Sequence, residues 1–165
     1  MPAPTLYLAP GTCALAVHIA LHEAQAGHAL VRIDFAAQQQ RSPEYLAINP
    51  KGRVPALVTE HGVLTETPAL LAYVAQRYAQ AQLAPLDPFA FARMQEFNSY
   101  LASTVHVAHA HRPRANRWAD DAHAIEGERS RHSHTVCAAS HSVSRTKTLS
   151  VLAVWRQSMR SAVSP

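Results

Sequence analysis

The chain has 165 residues, 48% hydrophobic and 16% charged, enough for one ordinary globular domain or a small domain with an appendage. No stretch reaches the ~20 apolar residues that span a bilayer, and Met1-Pro2-Ala3-Pro4 does not read as a signal peptide. The formal charge of +4 names no acidic partner: residues 1–126 hold nine Lys+Arg against ten Asp+Glu, whereas residues 127–165 hold six against one.

Thr5-Leu6-Tyr7-Leu8 is a short β-prone run that ends at Ala9-Pro10-Gly11, a turn signal. After the turn Ala14, Val17, Leu21 and Ala24 recur at helical spacing, and Gly27 supplies the expected stop. From Leu30 to Phe35 apolar Val31, Ile33 and Phe35 alternate with Arg32 and Asp34, the pattern of a strand with a polar face. A β–α–β unit of this length favours parallel strands joined by a right-handed crossover.

Residues 36–53 read as a polar loop, with Asn49-Pro50-Lys51-Gly52 as a sharp reversal. Pro55–Val58 and Val63-Leu64, separated by Glu60-His61-Gly62, read as a β-hairpin. Thr67 then suits an N-cap and Pro68 the first helical position, ahead of the stripe Leu70, Leu71, Val74 and Ala75, which runs out near Tyr78. Residues 81–88 read as a linker. A long helix is expected from Phe89 to about His111, with Phe89, Met94, Phe97, Leu101 and Val105 on one side and Arg112-Pro113-Arg114 as its end. A further helix is expected near Trp118 and Asp120.

Composition changes at Gly127. Nine of the twelve serines and one acidic residue fall in the last 39 positions, and helical periodicity lapses until Leu149–Trp155. Such an abrupt change is unusual within a natural domain. A frameshift in the coding sequence is the simplest account, with a genuine basic tail as the rival; the alternative reading frames beyond codon 126 discriminate them. Basic residues here are not interleaved with aromatics and form no recognisable module, so a nucleic-acid partner is not expected.

Cys13 stands out chemically. It follows a strand and a Pro-Gly turn at the start of a helix, where unpaired N–H groups and the helix dipole favour a thiolate. The competing reading is a small buried hydrophobe. Cys13-Ala14-Leu15-Ala16 holds no second cysteine at CxxC spacing, so a monothiol here needs an external thiol. The other cysteine, Cys137, is distant; the pair makes no disulfide framework, and a reducing cytoplasm is the expectation. Val54-Pro55 opens the second half of the sheet; a proline there is either a plain edge feature or, as in thioredoxin-like folds, a cis proline facing the cysteine. At Glu66-Thr67-Pro68 a helix N-terminus meets a hydroxyl and a carboxylate, suited to the carboxylate and ammonium of an α-amino-acid head; an ordinary capped helix fits the same residues. His106, His109 and His111 invite a metal reading, but no nearby cysteine or carboxylate cluster completes a ligand set, and no metal is expected.

Together, Leu6-Tyr7-Leu8-Ala9-Pro10-Gly11-Thr12-Cys13, Asn49-Pro50-Lys51-Gly52-Arg53-Val54-Pro55-Ala56-Leu57 and Leu64-Thr65-Glu66-Thr67 resemble the glutathione transferases, and among them the bacterial beta class. The resemblance covers residues 5–126. It implies an α/β thioredoxin-like N-terminal domain (β-α-β, β-β-α) over residues 1–80, the linker 81–88, a partial all-α domain over 89–126, and the atypical tail 127–165. It further implies that Cys13 meets the glutathione sulfur or forms a mixed disulfide with it. Arg53, Val54 and cis Pro55 would hold the tripeptide backbone, Glu66 and Thr67 its γ-glutamyl head, and His106 would lie near the sulfur. Ala14, Thr67 and Val107 depart from the serine, serine and lysine usual in the family, and residues 127–165 lack its Ser/Thr-x-x-Asp helix cap.

The function expected is glutathione conjugation to small electrophiles, or reduction of mixed disulfides through Cys13. Glutathione is then a co-substrate, with no resident cofactor and a homodimer as the assembly. The rival is a non-catalytic glutathione-binding or dimerisation module.

Overall fold

The computed structural model describes residues 3–114 and 119–127, with backbone alone for 111–114. The change of composition after Gly127 therefore lies outside the described residues. The chain divides into two compact units, the first reaching Phe91 and the second beginning at Ala92.

In the first unit β1 (Thr5–Leu8) leads through a turn into α1 (Ala14–Glu23) and β2 (Ala29–Arg32). A 3₁₀ turn (Gln39–Arg41) and α2 (Pro43–Ile48) follow, then β3 (Ala56–Thr59), β4 (Gly62–Thr65) and α3 (Thr67–Arg77). The sheet order is β2-β1-β3-β4, with β1 and β2 parallel and the other pairs antiparallel. This is the thioredoxin-like mixed sheet that the element order implies.

Side chains alternate across a strand, so Leu6 and Leu57, paired in the ladder, point to one face. There they meet Val17 and Leu21 of α1 and Leu70 and Val74 of α3, all fully buried. Each such side chain contributes roughly 1.5–3 kcal/mol of burial. Tyr7, one residue along from Leu6, turns to the opposite face and packs against Tyr45 of α2 with ring centroids 5.7 Å apart.

Several local expectations are corrected, the strand expected from Leu30 to Phe35 among them, since β2 ends at Arg32. Helix α1 stops before Gly27: Gln25 takes the left-handed conformation (φ 51), Ala26 N–H bonds the Leu21 carbonyl and Gln25 N–H that of His22. This is a Schellman closure, which needs a left-handed residue directly after the cap. Within the supposed loop 36–53 the Ser42 hydroxyl caps α2 by accepting from Tyr45 N–H (3.2 Å), and Pro43 opens it. Helix α3 is capped at Glu66 rather than Thr67, and Glu66 has φ 71.

The long helix is interrupted: α4 (Pro88–Tyr100) passes into a π-helical turn (Leu101–Val105) and then α5 (His106–Arg114), which takes in the triplet Arg112-Pro113-Arg114 expected to end it. His106 N–H bonds the Leu101 carbonyl, and the Ser103 hydroxyl donates to the Ser99 carbonyl at 2.8 Å, competing with the regular ladder. Leu101, Val105 and Ala108 are buried and Phe89 is exposed, so the apolar stripe excludes its expected first member. Residues 122–127 are helical, opened by Asp121, whose carboxylate accepts from Ala124 N–H; Trp118 lies outside the described residues. Among the described residues no helix is long and apolar enough to cross a membrane.

Candidate functional site

Strand register collects most of the singled-out residues at one end of the sheet. Tyr7 pairs with Ala56, and Ala56 with Thr65, forming one cross-strand row. Beyond that row β1 runs on to Cys13, β3 runs back through Pro55 and Val54 to Arg53, and β4 runs on to Glu66 and Thr67. Residues scattered over sixty positions thus meet because the strands alternate in direction.

The turn after β1 needs Gly11, at φ 67, a region L-residues rarely enter. The Thr12 hydroxyl closes the turn by donating to the Ala9 carbonyl at 2.7 Å. Cys13 follows as the residue capping α1, half-buried, with its Sγ 3.9 Å from the Val54 carbonyl oxygen. Leu15 and Ala16 N–H groups bond the Thr12 and Cys13 carbonyls. What α1 offers the sulfur is therefore its positive end rather than those two donors.

The Val54-Pro55 bond is cis, and the β3 ladder begins only at Ala56, leaving Val54 outside it. Arg53 contributes chiefly through its backbone. Its carbonyl accepts from the Tyr45 hydroxyl at 2.7 Å and from Asn49 Nδ2 at 2.6 Å, while its side chain is exposed. Burial raises the Tyr45 pKa, keeping the phenol a neutral donor, against a smaller lowering by its hydrogen bond with Asn49 and a slight rise from Tyr7.

Glu66 and Thr67 form the entry to α3, whose first bond runs from Leu70 N–H to the Glu66 carbonyl. No side chain caps this end, so its backbone donors and its positive dipole face outward. The exposed Glu66 carboxylate takes a 2.7 Å ion pair with Lys51 Nζ, which also donates to the Thr65 hydroxyl at 2.9 Å. Lys51 was legible in the sequence only as part of a turn; the signal available was a lysine between Pro50 and a glycine, which says nothing of its reach. His106 is in the second unit, as the first residue of α5 beyond the π-helical turn. The structure thus brings Cys13 to Val54 and sets Glu66 beside Thr67 at the same sheet end, while His106 belongs to the other unit.

The model for the N-terminal domain of glutathione S-transferase matches residues 2–76. A glutathione transferase homologue from Sulfitobacter, solved with bound glutathione, is 41% identical with a TM-score of 0.87, covering 100% of this chain and 86% of that one. This chain is a member of the glutathione S-transferase family. A bacterial beta-class glutathione S-transferase from Sphingomonas chungbukensis is 29% identical (TM-score 0.77; 95% and 81% covered). GstA of Escherichia coli O157:H7, a glutathione S-transferase, is 36% identical over 104 residues, 61% of this chain and 52% of that protein. A maleylacetoacetate isomerase of Pseudomonas aeruginosa is 39% identical over 72 residues, 43% of this chain and 34% of that protein. The chain spans about half or less of the length of these curated relatives.

Proposed function

We propose that this glutathione S-transferase family member binds glutathione at the sheet end described above and uses its thiol on electrophiles or mixed disulfides. The observation that carries the reading is the half-buried Cys13 sulfur set 3.9 Å from the Val54 carbonyl, beside a Val54 that lies outside the strand ladder. An extended tripeptide pairing with Val54 would bring its own cysteinyl sulfur to Cys13. Glu66 would receive the γ-glutamyl ammonium, while Thr67 and the open end of α3 receive the carboxylate; Arg53 and Pro55 frame the strand-like middle.

Two reactions fit. In conjugation the glutathione thiolate attacks an electrophilic carbon and expels its leaving group, the thiol proton passing to a base, for which His106 is the candidate. In reduction the Cys13 thiolate attacks a glutathione mixed disulfide, forming Cys13–S–S–glutathione and releasing the other thiol. A second glutathione thiolate then frees Cys13 as glutathione disulfide forms. Glutathione is a co-substrate in both, without a resident cofactor. The second substrate is a small electrophile, and the assembly is a cytoplasmic homodimer with neither nucleic acid nor membrane as partner. The sequence-level linker at 81–88 separates the glutathione domain from the helical one in this reading.

The test is the full-length chain assayed with glutathione and a simple aromatic electrophile, and separately with a glutathione mixed disulfide. Cys13→Ala is expected to abolish the disulfide reaction, and His106→Ala to lower conjugation on the order of 10²-fold, as loss of a positioned base does. Full activity of both variants in both assays removes these residues from the mechanism.

A further inference from the structure

Lys51 is a cation in a costly place. It reaches the N-terminus of α3, the positive end of the helix, where a positive charge is unfavourable and an anion is favoured. Its loop is nevertheless built to hold it there. Asn49, buried, donates to the Arg53 carbonyl and accepts from Lys51 N–H at 3.2 Å, while Gly52 N–H bonds the Asn49 carbonyl at 2.9 Å. From this turn the side chain crosses to Thr65, the last residue of β4, and Glu66, which caps α3. An ammonium has three donors; two are used here, and among the described residues the third has no acceptor.

Resting on the glutathione reading, we infer that Lys51 is a specificity-determining positioning residue: it fixes the Glu66 carboxylate and, with the α3 N-terminus, makes the site select a head carrying both ammonium and carboxylate. Glu66 alone would attract any cation. The Lys51–Glu66 pair is close to neutral, so an ammonium by itself gains little from it. A ligand with an adjacent carboxylate meets Lys51 and the helix end together, and its ammonium meets a carboxylate already oriented. Both partners are more than half exposed, at 52% and 64%, so solvent screens the effect.

The experiment measures binding and turnover of glutathione by the full chain and its Lys51→Met and Lys51→Arg variants, with thermal melting to verify folding. Each is also titrated with the analogue that lacks the α-carboxylate of the γ-glutamyl residue. Lys51→Met is expected to raise Kd and KM for glutathione ~5-fold, about 1 kcal/mol, with kcat unchanged. It should alter affinity for the decarboxylated analogue less than ~2-fold at the same screened scale. Lys51→Arg is expected to restore most of the affinity, and the gap between wild type and Lys51→Met to narrow as salt approaches ~1 M. Unchanged affinity for glutathione, or equal losses for both ligands, overturns the inference while leaving the glutathione reading intact. Failure of the wild-type chain to bind glutathione overturns both.

Discussion

Asn49 is a buried polar residue, 2% exposed. Its amide holds the loop, with Nδ2 on the Arg53 carbonyl and Oδ1 on Lys51 N–H. Replacing it with alanine removes the partner of Lys51 N–H and one of the two donors on the Arg53 carbonyl, which keeps the Tyr45 hydroxyl, at a cost of about 1–3 kcal/mol. We therefore expect Asn49→Ala to lower the unfolding free energy measured in urea by that amount, with a correspondingly lower midpoint, and to weaken glutathione binding. An unchanged midpoint would show that water replaces the lost bonds without penalty. Of the candidate residues, Cys13, Val54, Pro55, Glu66 and Thr67 were legible as candidates because each sits at a punctuation mark: a Pro-Gly turn, a strand-opening proline, a Thr-Pro helix start. Asn49, Lys51 and Tyr45 were not, because their bonds join residues whose separation a linear pattern does not encode.

Among the elements, helices α1 and α3, whose apolar stripes pack on the sheet, matched their expected places. Ala14, Val17 and Leu21 of α1 and Leu70, Leu71 and Val74 of α3 all face the core. Element ends were harder, since a cap is decided by one or two residues. Gln25 shows this: glycine is favoured where φ is positive after a helix, yet glutamine stands there and Gly27 lies two residues later. Gln25→Gly is expected to raise stability by roughly 1 kcal/mol, the lower end of the left-handed penalty for a residue with a Cβ. Chemical denaturation measures it, and a loss of stability would contradict the Schellman account. Helix α2, six residues long, lacks the length to display an apolar stripe. The π-helical turn has no periodicity signature either, because it arises from a local contest between the Ser103 hydroxyl and the ladder.

For the whole molecule, two compact units and a thioredoxin-like sheet follow from the order of strands and helices, which the alternation of two- and 3.6-residue periods spells out. The surface has a less settled character. Leu86 is 92% and Phe89 74% exposed, with Tyr100 and Val107 also on the outside. Exposed large apolar side chains favour association when they lie together. The expressed chain is expected to aggregate or self-associate, and Phe89→Ser with Leu86→Ser to raise the monodisperse fraction. Light scattering after size exclusion reads this, and a parent chain that is monodisperse and melts cooperatively refutes the expectation.

Gly52 ties these scales together. It stands at φ 59, and a methyl group there would come within 2.9 Å of the Arg41 guanidinium and 3.0 Å of the Gln40 carbonyl. The segment before α2 thus forms a wall against which the lysine-bearing turn is pressed. Drift of residues 39–41 away from the turn would loosen it from behind, so the segment before α2 bears on how firmly Lys51 is held against Glu66.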